Sequence, residues 1–200
     1  MSNSGNQRLV SFPLFDINCA HHRSWQSFSI MELATSLNCS MAEIKCYFRS
    51  KDDIAELFFD RADEAMLSMT SADSYFTLSV DERLLECIMC WFQTLAPDKN
   101  LIREILTYKL ELGHFHLQAH SITRISRTVQ WFLEASGRKH IGICKTADEI
   151  AVTSAYLASF RFFLLDQSEG HKNTRTLLKQ IIRKISRSQD WVSRLYYRVS

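Results

Sequence analysis

"SFSIMELATSLNCSMAEIKCYFRSKDDI", residues 27–54, carries one small signal three times over. Ser29 is followed three residues later by Glu32, Ser40 by Glu43 and Ser50 by Asp53. Each pair can form a capping box: the Ser hydroxyl accepts from a free backbone N–H of the first turn, and the acid accepts from the Ser N–H. Starts this close together leave about two turns of helix between the second and the third. Two short helices capped in succession are the mark of a helix-turn-helix. The first helix is expected over about Ile30 to Leu37 and the second, the recognition helix, over Met41 to Tyr47. Ile30, Leu33, Leu37, Ile44 and Phe48 supply a miniature core, and Ala34 is small where the helices approach. Asn38 suits the turn because Asn tolerates the left-handed conformation. Residues 14–23 would be the preceding support helix, with Trp25 a plug between it and the next helix.

The rest of the chain reads the same way. Hydrophobic residues make up 46% of its 200 positions and charged residues 23%, enough to bury a sizeable core. Five Gly and two Pro are too few turn residues for a sheet-rich fold, so the composition points to an all-α protein. Apolar residues recur at helical spacing over 51–69, 80–95, 100–113, 116–135, 147–165 and 172–187. Ser79 stands before Asp81 and Glu82 at one of these starts, and Thr146 with Glu149 predicts a further capping box. The connectors are "SADSYFTLS" (71–79), "PDKN" (97–100), a bend near Gly113, "SGRKHIGIC" (136–144) and "DQSEGHKN" (166–173). Segment 147–165 is apolar on nearly every side, so it is either deep in a core or covered by a partner.

The formal charge of +2 is uneven. From His171 to Ser200 eight Lys or Arg face Asp190 alone, a pattern that suits a solvated helix face or contact with a polyanion. Residues 1–60 carry seven acids against five bases. No signal peptide and no bilayer-length apolar run is visible, so a cytoplasmic protein with reduced thiols and little membrane contact is expected. "CIMC" (87–90) has redox spacing but lies inside an apolar helix, which makes Cys87 and Cys90 core residues. His114, His116 and His120 cluster, yet no acid lies at matching spacing, and neither metal nor cofactor is expected. No nucleophile elbow, phosphate loop or paired carboxylates occur, so the chain does not read as an enzyme. Aromatic residues from several helices could line a cavity for a small apolar or amphipathic ligand: Trp91, Tyr108, Phe115, Trp131, Tyr156 and Phe160, with His116 and Tyr156 as polar groups.

Over about residues 12–60 the chain resembles the DNA-binding domain of the TetR family of bacterial transcriptional regulators. The likeness rests on "FSIMELATSLNCSMAEIKCYFRSKDDI", with its Ser-capped second helix, an aromatic-x-x-Phe-like ending, and Ser-Lys followed by an acid. Asn38 replaces the family's usual turn Gly, and Lys45 stands where an aromatic is common. The resemblance implies that Ser29 contacts phosphate from a helix N-terminus, that Met41 and Ala42 face base edges, and that Tyr47 and Lys51 contact the DNA backbone. Ser40 caps the recognition helix, and Lys45 could neutralise a phosphate. It implies an N-terminal three-helix DNA-binding domain at 12–50 and a helical ligand-binding and dimerisation domain at 51–200. Helices 147–165 and 172–187 would pair with their copies in a homodimer. The function implied is a ligand-responsive regulator, a repressor at a double-stranded operator. An alternative comes from "FFLLDQSEGHKNTRTLLKQII" (162–182), which resembles TetR-fold lipid-binding proteins of ubiquinone biosynthesis that do not bind DNA.

Overall fold

The computed structural model describes residues 24–110, 115–139 and 143–199, and every regular element among them is helical. The order is α1 (Ile30–Ser36), α2 (Met41–Tyr47), α3 (Lys51–Ser68), α4 (Val80–Leu95), α5 (Lys99–Leu110), α6 (Phe115–Ser136), α7 (Ile143–Leu165) and α8 (Lys172–Val199). Short 3₁₀ turns lie at Met69–Ser71, Asp73–Thr77, Ala96–Asp98 and Glu169–His171.

The caps expected at the first three starts all form. Ser29, Ser40 and Ser50 each accept from the backbone N–H three residues on, and Glu32, Glu43 and Asp53 each accept from the Ser N–H. Ser79 and Glu82 close a fourth capping box before α4. Thr146 and Glu149 do not. Helix α7 begins three residues before Thr146, so the Thr-x-x-Glu pattern lies within the helix, where those N–H groups already have carbonyl partners. The acid that matters there is Asp148, which accepts from Arg138 Nε at 2.8 and 3.0 Å. Arg138 also donates to Asp81 at 2.9 Å and to Ser186 at 3.3 Å, so one buried guanidinium joins α4, α7 and α8. Removing one partner of such a pair costs about 3–5 kcal/mol, because the other charge stays buried. Gly137, at φ 72°, makes the turn into Arg138, and a Cβ there would press on the Arg83 guanidinium at 3.2 Å.

Helix α4 is the centre of the body, with α3, α6 and α8 around it. Leu84, Leu85, Ile88, Met89, Trp91, Phe92 and Leu95 are all buried, as its apolar stripe requires. Trp91 and Phe92 meet Phe132, Tyr156, Phe160 and Phe163 in a connected set of rings, with centroids 5.1–6.5 Å apart. Cys87 is buried, and its thiol lies 3.0 Å from the Tyr75 hydroxyl, which also donates to the Ala135 carbonyl. Burial pushes the Cys87 thiol up to about 11, which suits the packing role read from "CIMC". Tyr75 thereby anchors the connector 71–79 to the core.

One helix end differs from expectation: α8 continues to Val199 rather than 187, while the expected end of α5 at 113 lies outside the described residues. Between α7 and α8, the Asp166 carboxylate accepts from Ser168 N (2.9 Å) and from Thr174 N and Oγ1 (2.9 and 2.6 Å). Burial pushes the Asp166 carboxyl up, but the bonds from Thr174 and Ser168 more than reverse it and hold the group well below the ordinary carboxylate range. That cap fixes the tight hairpin of α7 and α8. The expected support helix at 14–23 lies outside the described residues.

Candidate nucleic-acid interface and interior cavity

Helices α1 and α2 are joined by a tight turn built on Asn38, which takes φ 50°. Asn38 N donates to the Thr35 carbonyl and Cys39 N to the Ala34 carbonyl, the paired bonds that close a helix through a left-handed residue. Ser40 then starts α2. Ile44 and Phe48 turn inward against Leu33 and Ala34 and are buried, while Met41, Ala42, Glu43, Lys45 and Cys46 face outward and are exposed. Ser29 and Ser40 are exposed and Tyr47 is half-buried. A two-turn rod whose outer face is exposed along its length is a shape that fits a major groove.

The acid excess in this part of the chain is largely used internally. Glu32, Glu43 and Asp53 sit on helix N-termini, where the backbone's partial positive charge favours them. Hydrogen bonds from the Ser40 backbone and hydroxyl hold the Glu43 carboxyl below its usual value. Asp52 and Glu56 pair with Lys109 at 2.7 and 2.5 Å, and Asp60 pairs with Arg124. The exposed cations Lys45 and Arg49 lie on α2 and just after it, on a surface whose carboxylates are already engaged.

Lys51 is placed differently from its expected role. Its ammonium turns inward to donate to the Trp25 carbonyl, and sits 4.8 Å from the Trp25 ring centroid and 5.7 Å from that of Tyr108. Desolvation lowers its pKa, with Glu32 opposing. Trp25 N donates to Glu104 on α5 at 2.5 Å. Lys51, Trp25, Tyr108 and Glu104 therefore make a joint between the start of α3 and the body, with the Trp25 side chain buried in it.

A second feature lies inside the body. A cavity of about 490 Å³ opens between α3, α5, α6 and α7. Phe59, Trp91, Leu106, Ile125, Tyr156, Phe160 and Leu164 give it an apolar wall, and Glu56, Arg103, Lys109, Arg124 and Arg161 are its charged residues. Its α3 side is a network. Arg124 donates to Glu56 at 3.3 Å, to Asp60, and to Asp63 at 2.9 Å; Asp63 in turn accepts from Trp91 Nε1 at 2.8 Å and Thr128 at 3.2 Å. Desolvation raises the Asp63 pKa, with Arg124 opposing.

No family model matches the chain, and no curated protein does. Among solved structures, it is similar to the TetR transcriptional regulator from Nitrosomonas europaea ATCC 19718, with 35% identity and a TM-score of 0.74, over 84% of this chain and 91% of that one. The chain belongs to the TetR family of transcriptional regulators. Its all-α plan, with a short capped helix pair before a larger helical body, is the fold of that family.

Within this TetR-family chain, three of the aromatic residues expected at a cavity do line one: Trp91, Tyr156 and Phe160. Tyr108 instead packs at the Lys51 joint. Trp131 is 44% exposed, at the edge of the buried face of α6 rather than within it. The side chains of Phe115 and His116 lie outside the described residues. Sequence reasoning missed Arg124, Lys109 and Glu56, the charged half of the wall. Helix α7 is divided between two environments: Val152, Ala155, Tyr156, Phe160 and Phe163 are buried, while Ile150, Leu157, Phe162 and Leu165 are exposed. No helix among the described residues is long and apolar enough to cross a membrane.

Proposed function

We propose that this TetR-family regulator is a ligand-responsive repressor that binds operator DNA as a homodimer and is not an enzyme. Residues 12–50 form the DNA-binding domain and 51–200 the ligand-binding and dimerisation domain. The observation that carries the reading is α2, a rod of 7 residues capped by Ser40 and presenting Met41, Ala42 and Lys45 outward. Met41 and Ala42 meet base edges, Ser29, Lys45 and Tyr47 meet the phosphate backbone, and Lys51 holds the joint that sets the angle of α2. The exposed apolar residues of α7, with α8 beside it, pack against their copies in a second subunit, which supplies the cover an all-round apolar helix needs. Two recognition helices then stand about 34 Å apart, one turn of DNA, and ligand in the cavity shifts the equilibrium towards a different spacing.

Helix α3 is the mechanical link. It begins just after α2 ends, at the Ser50 cap, and carries Glu56, Asp60 and Asp63 to Arg124 at the cavity. The test is binding of the purified protein to genomic fragments by fluorescence anisotropy across a salt series. The expected result is specific binding whose log affinity falls linearly with log salt, by about 0.9 for each phosphate neutralised. Binding that is weak, non-specific and unchanged by Lys45→Ala would contradict it. The apolar cavity wall favours a second reading, a lipid carrier without DNA binding, and a lipid co-purifying with a chain that binds no operator would support that one.

A further inference from the structure

The charged residues of the cavity wall are one-sided. Four cations, Arg103, Lys109, Arg124 and Arg161, line the cavity with Glu56 as the one acid of the lining. Lys109 (2.5 Å) and Arg124 (3.3 Å) both hold Glu56 and are further paired behind the wall with Asp52, Asp60 and Asp63, which leaves Arg103 and Arg161 as the uncompensated charges. A cationic ligand would find no free carboxylate in this wall. Arg103 and Arg161 are exposed where the cavity opens, and among the described residues neither has an ion-pair partner.

Arg124 supplies the deeper observation. Its side chain is only 8% exposed, yet its Nε–H has no hydrogen-bond partner among the described residues. Its two Nη groups are engaged by Glu56, Asp60 and Asp63, so Nε is the donor left over on a residue that lines the cavity, buried just behind its surface. A buried guanidinium donor without an acceptor is a place where an oxygen is missing. The apolar wall opposite, from Phe59, Trp91, Tyr156 and Phe160, suits a hydrocarbon or ring system.

From this arrangement we infer that the cavity takes an anionic amphiphile, a carboxylate or comparable acid on an apolar body, whose acid oxygen accepts from Arg124 while its body lies against Trp91 and Phe160. The inference rests on the ligand-responsive reading above and gives that ligand its chemical class. A bound acid competes with Glu56, Asp60 and Asp63 for one guanidinium, and so loosens the grip that holds α3 to α6. Arg124 is a ligand-binding residue and a positioning residue for α3 at once.

The experiment is calorimetric titration of the full chain, without DNA, with three probes of one length: dodecanoate, dodecanol and dodecyltrimethylammonium. Dodecanoate is expected to bind at least about tenfold tighter than either of the others, the scale of one charge-assisted hydrogen bond. Arg124→Gln, shown to be helical by circular dichroism, should reduce that preference to about nothing, and Arg124→Lys should restore part of it. If Arg124→Gln does not fold, the preference of the unaltered chain decides. Equal binding of the alcohol, tighter binding of the ammonium, or binding of none of the three would overturn the inference. So would a folded Arg124→Gln that keeps the preference. Because no DNA is present, a chain that selects dodecanoate but never binds an operator keeps this inference and loses the repressor. One that binds an operator but ignores dodecanoate does the reverse.

Discussion

The outward faces of α2 and α7 differ in almost every physical respect. That of α2 is short, with Ala42, Glu43, Lys45 and Cys46 exposed beside Met41. That of α7 exposes Ile150 at 62%, Leu165 at 61%, and Leu157 and Phe162 between them. Groups of the first kind lose little by staying in water and can exchange it for phosphates and base edges. Groups of the second kind gain only when water leaves, roughly 25 cal/mol for each Å² covered. One chain thus presents a polar, hydrated surface and an apolar one, which the proposed function assigns to DNA and to a second copy. The inner face of α2 is ordinary core, whereas that of α7 also walls the cavity through Tyr156 and Phe160.

The comparison breaks most readily at α7. Ile150→Asp with Phe162→Asp places four charges in a symmetric apolar interface, at a cost of roughly 3 kcal/mol or more, about a hundredfold in dimer dissociation. Sedimentation velocity at micromolar concentration should show a monomer with unchanged helix content and much weakened operator binding. A persistent dimer would assign the interface elsewhere. At α2 the expected effect is smaller. Ser40→Ala removes the cap and costs about 1 kcal/mol, so operator affinity should fall several-fold while the dimer and the cavity stay intact, as read by sedimentation and probe titration.

Lys45 and Lys51 sharpen the contrast within the DNA-binding end. Lys45→Ala should lower the salt slope of binding by about 2 per dimer, one phosphate from each subunit. Lys51→Ala should leave the slope alone and lower thermal stability by about 1 kcal/mol, since its ammonium serves the Trp25 carbonyl. The smallest effect is acid sensitivity. Glu43 and Glu82 are both held below their ordinary value by bonds from Ser40 and Ser79. Their folded pKa values are depressed, so the contribution is present above the ordinary glutamate value of 4.5 and fades as pH falls below it. Melting curves from neutral pH down should show that loss, and Ser40→Ala should remove the Glu43 share.

Legibility followed distance along the chain. Capping boxes are contacts between residues three apart, so Ser29, Ser40 and Ser50 announced their helices, and Asn38 announced its turn. Buried stripes repeat locally too, which is why Leu84, Ile88, Trp91 and Phe92 could be placed in advance. Thr146 and Glu149 show the limit of such a pattern: the same spacing occurs inside a helix that is already under way at Ile143. What could not be read were contacts between distant segments. Lys51 reaches Trp25, and Arg124 gathers three carboxylates that lie more than 60 positions away. The charge count over residues 1–60 was incomplete for the same reason, since most of those acids find their partners in caps or on α5 and α6. Half of the cavity wall was legible as aromatic residues; its charged half was not.

The most direct test of the central claim, that paired α2 helices read one face of a duplex, is recovery of genomic DNA on the purified protein followed by hydroxyl-radical footprinting of the enriched fragments. The account predicts an inverted repeat with two protected patches on one face of the duplex, centred about 10 base pairs apart or a multiple of that. Recovery of no enriched sequence, or protection unaffected by Ser40→Ala and Lys45→Ala, would contradict it.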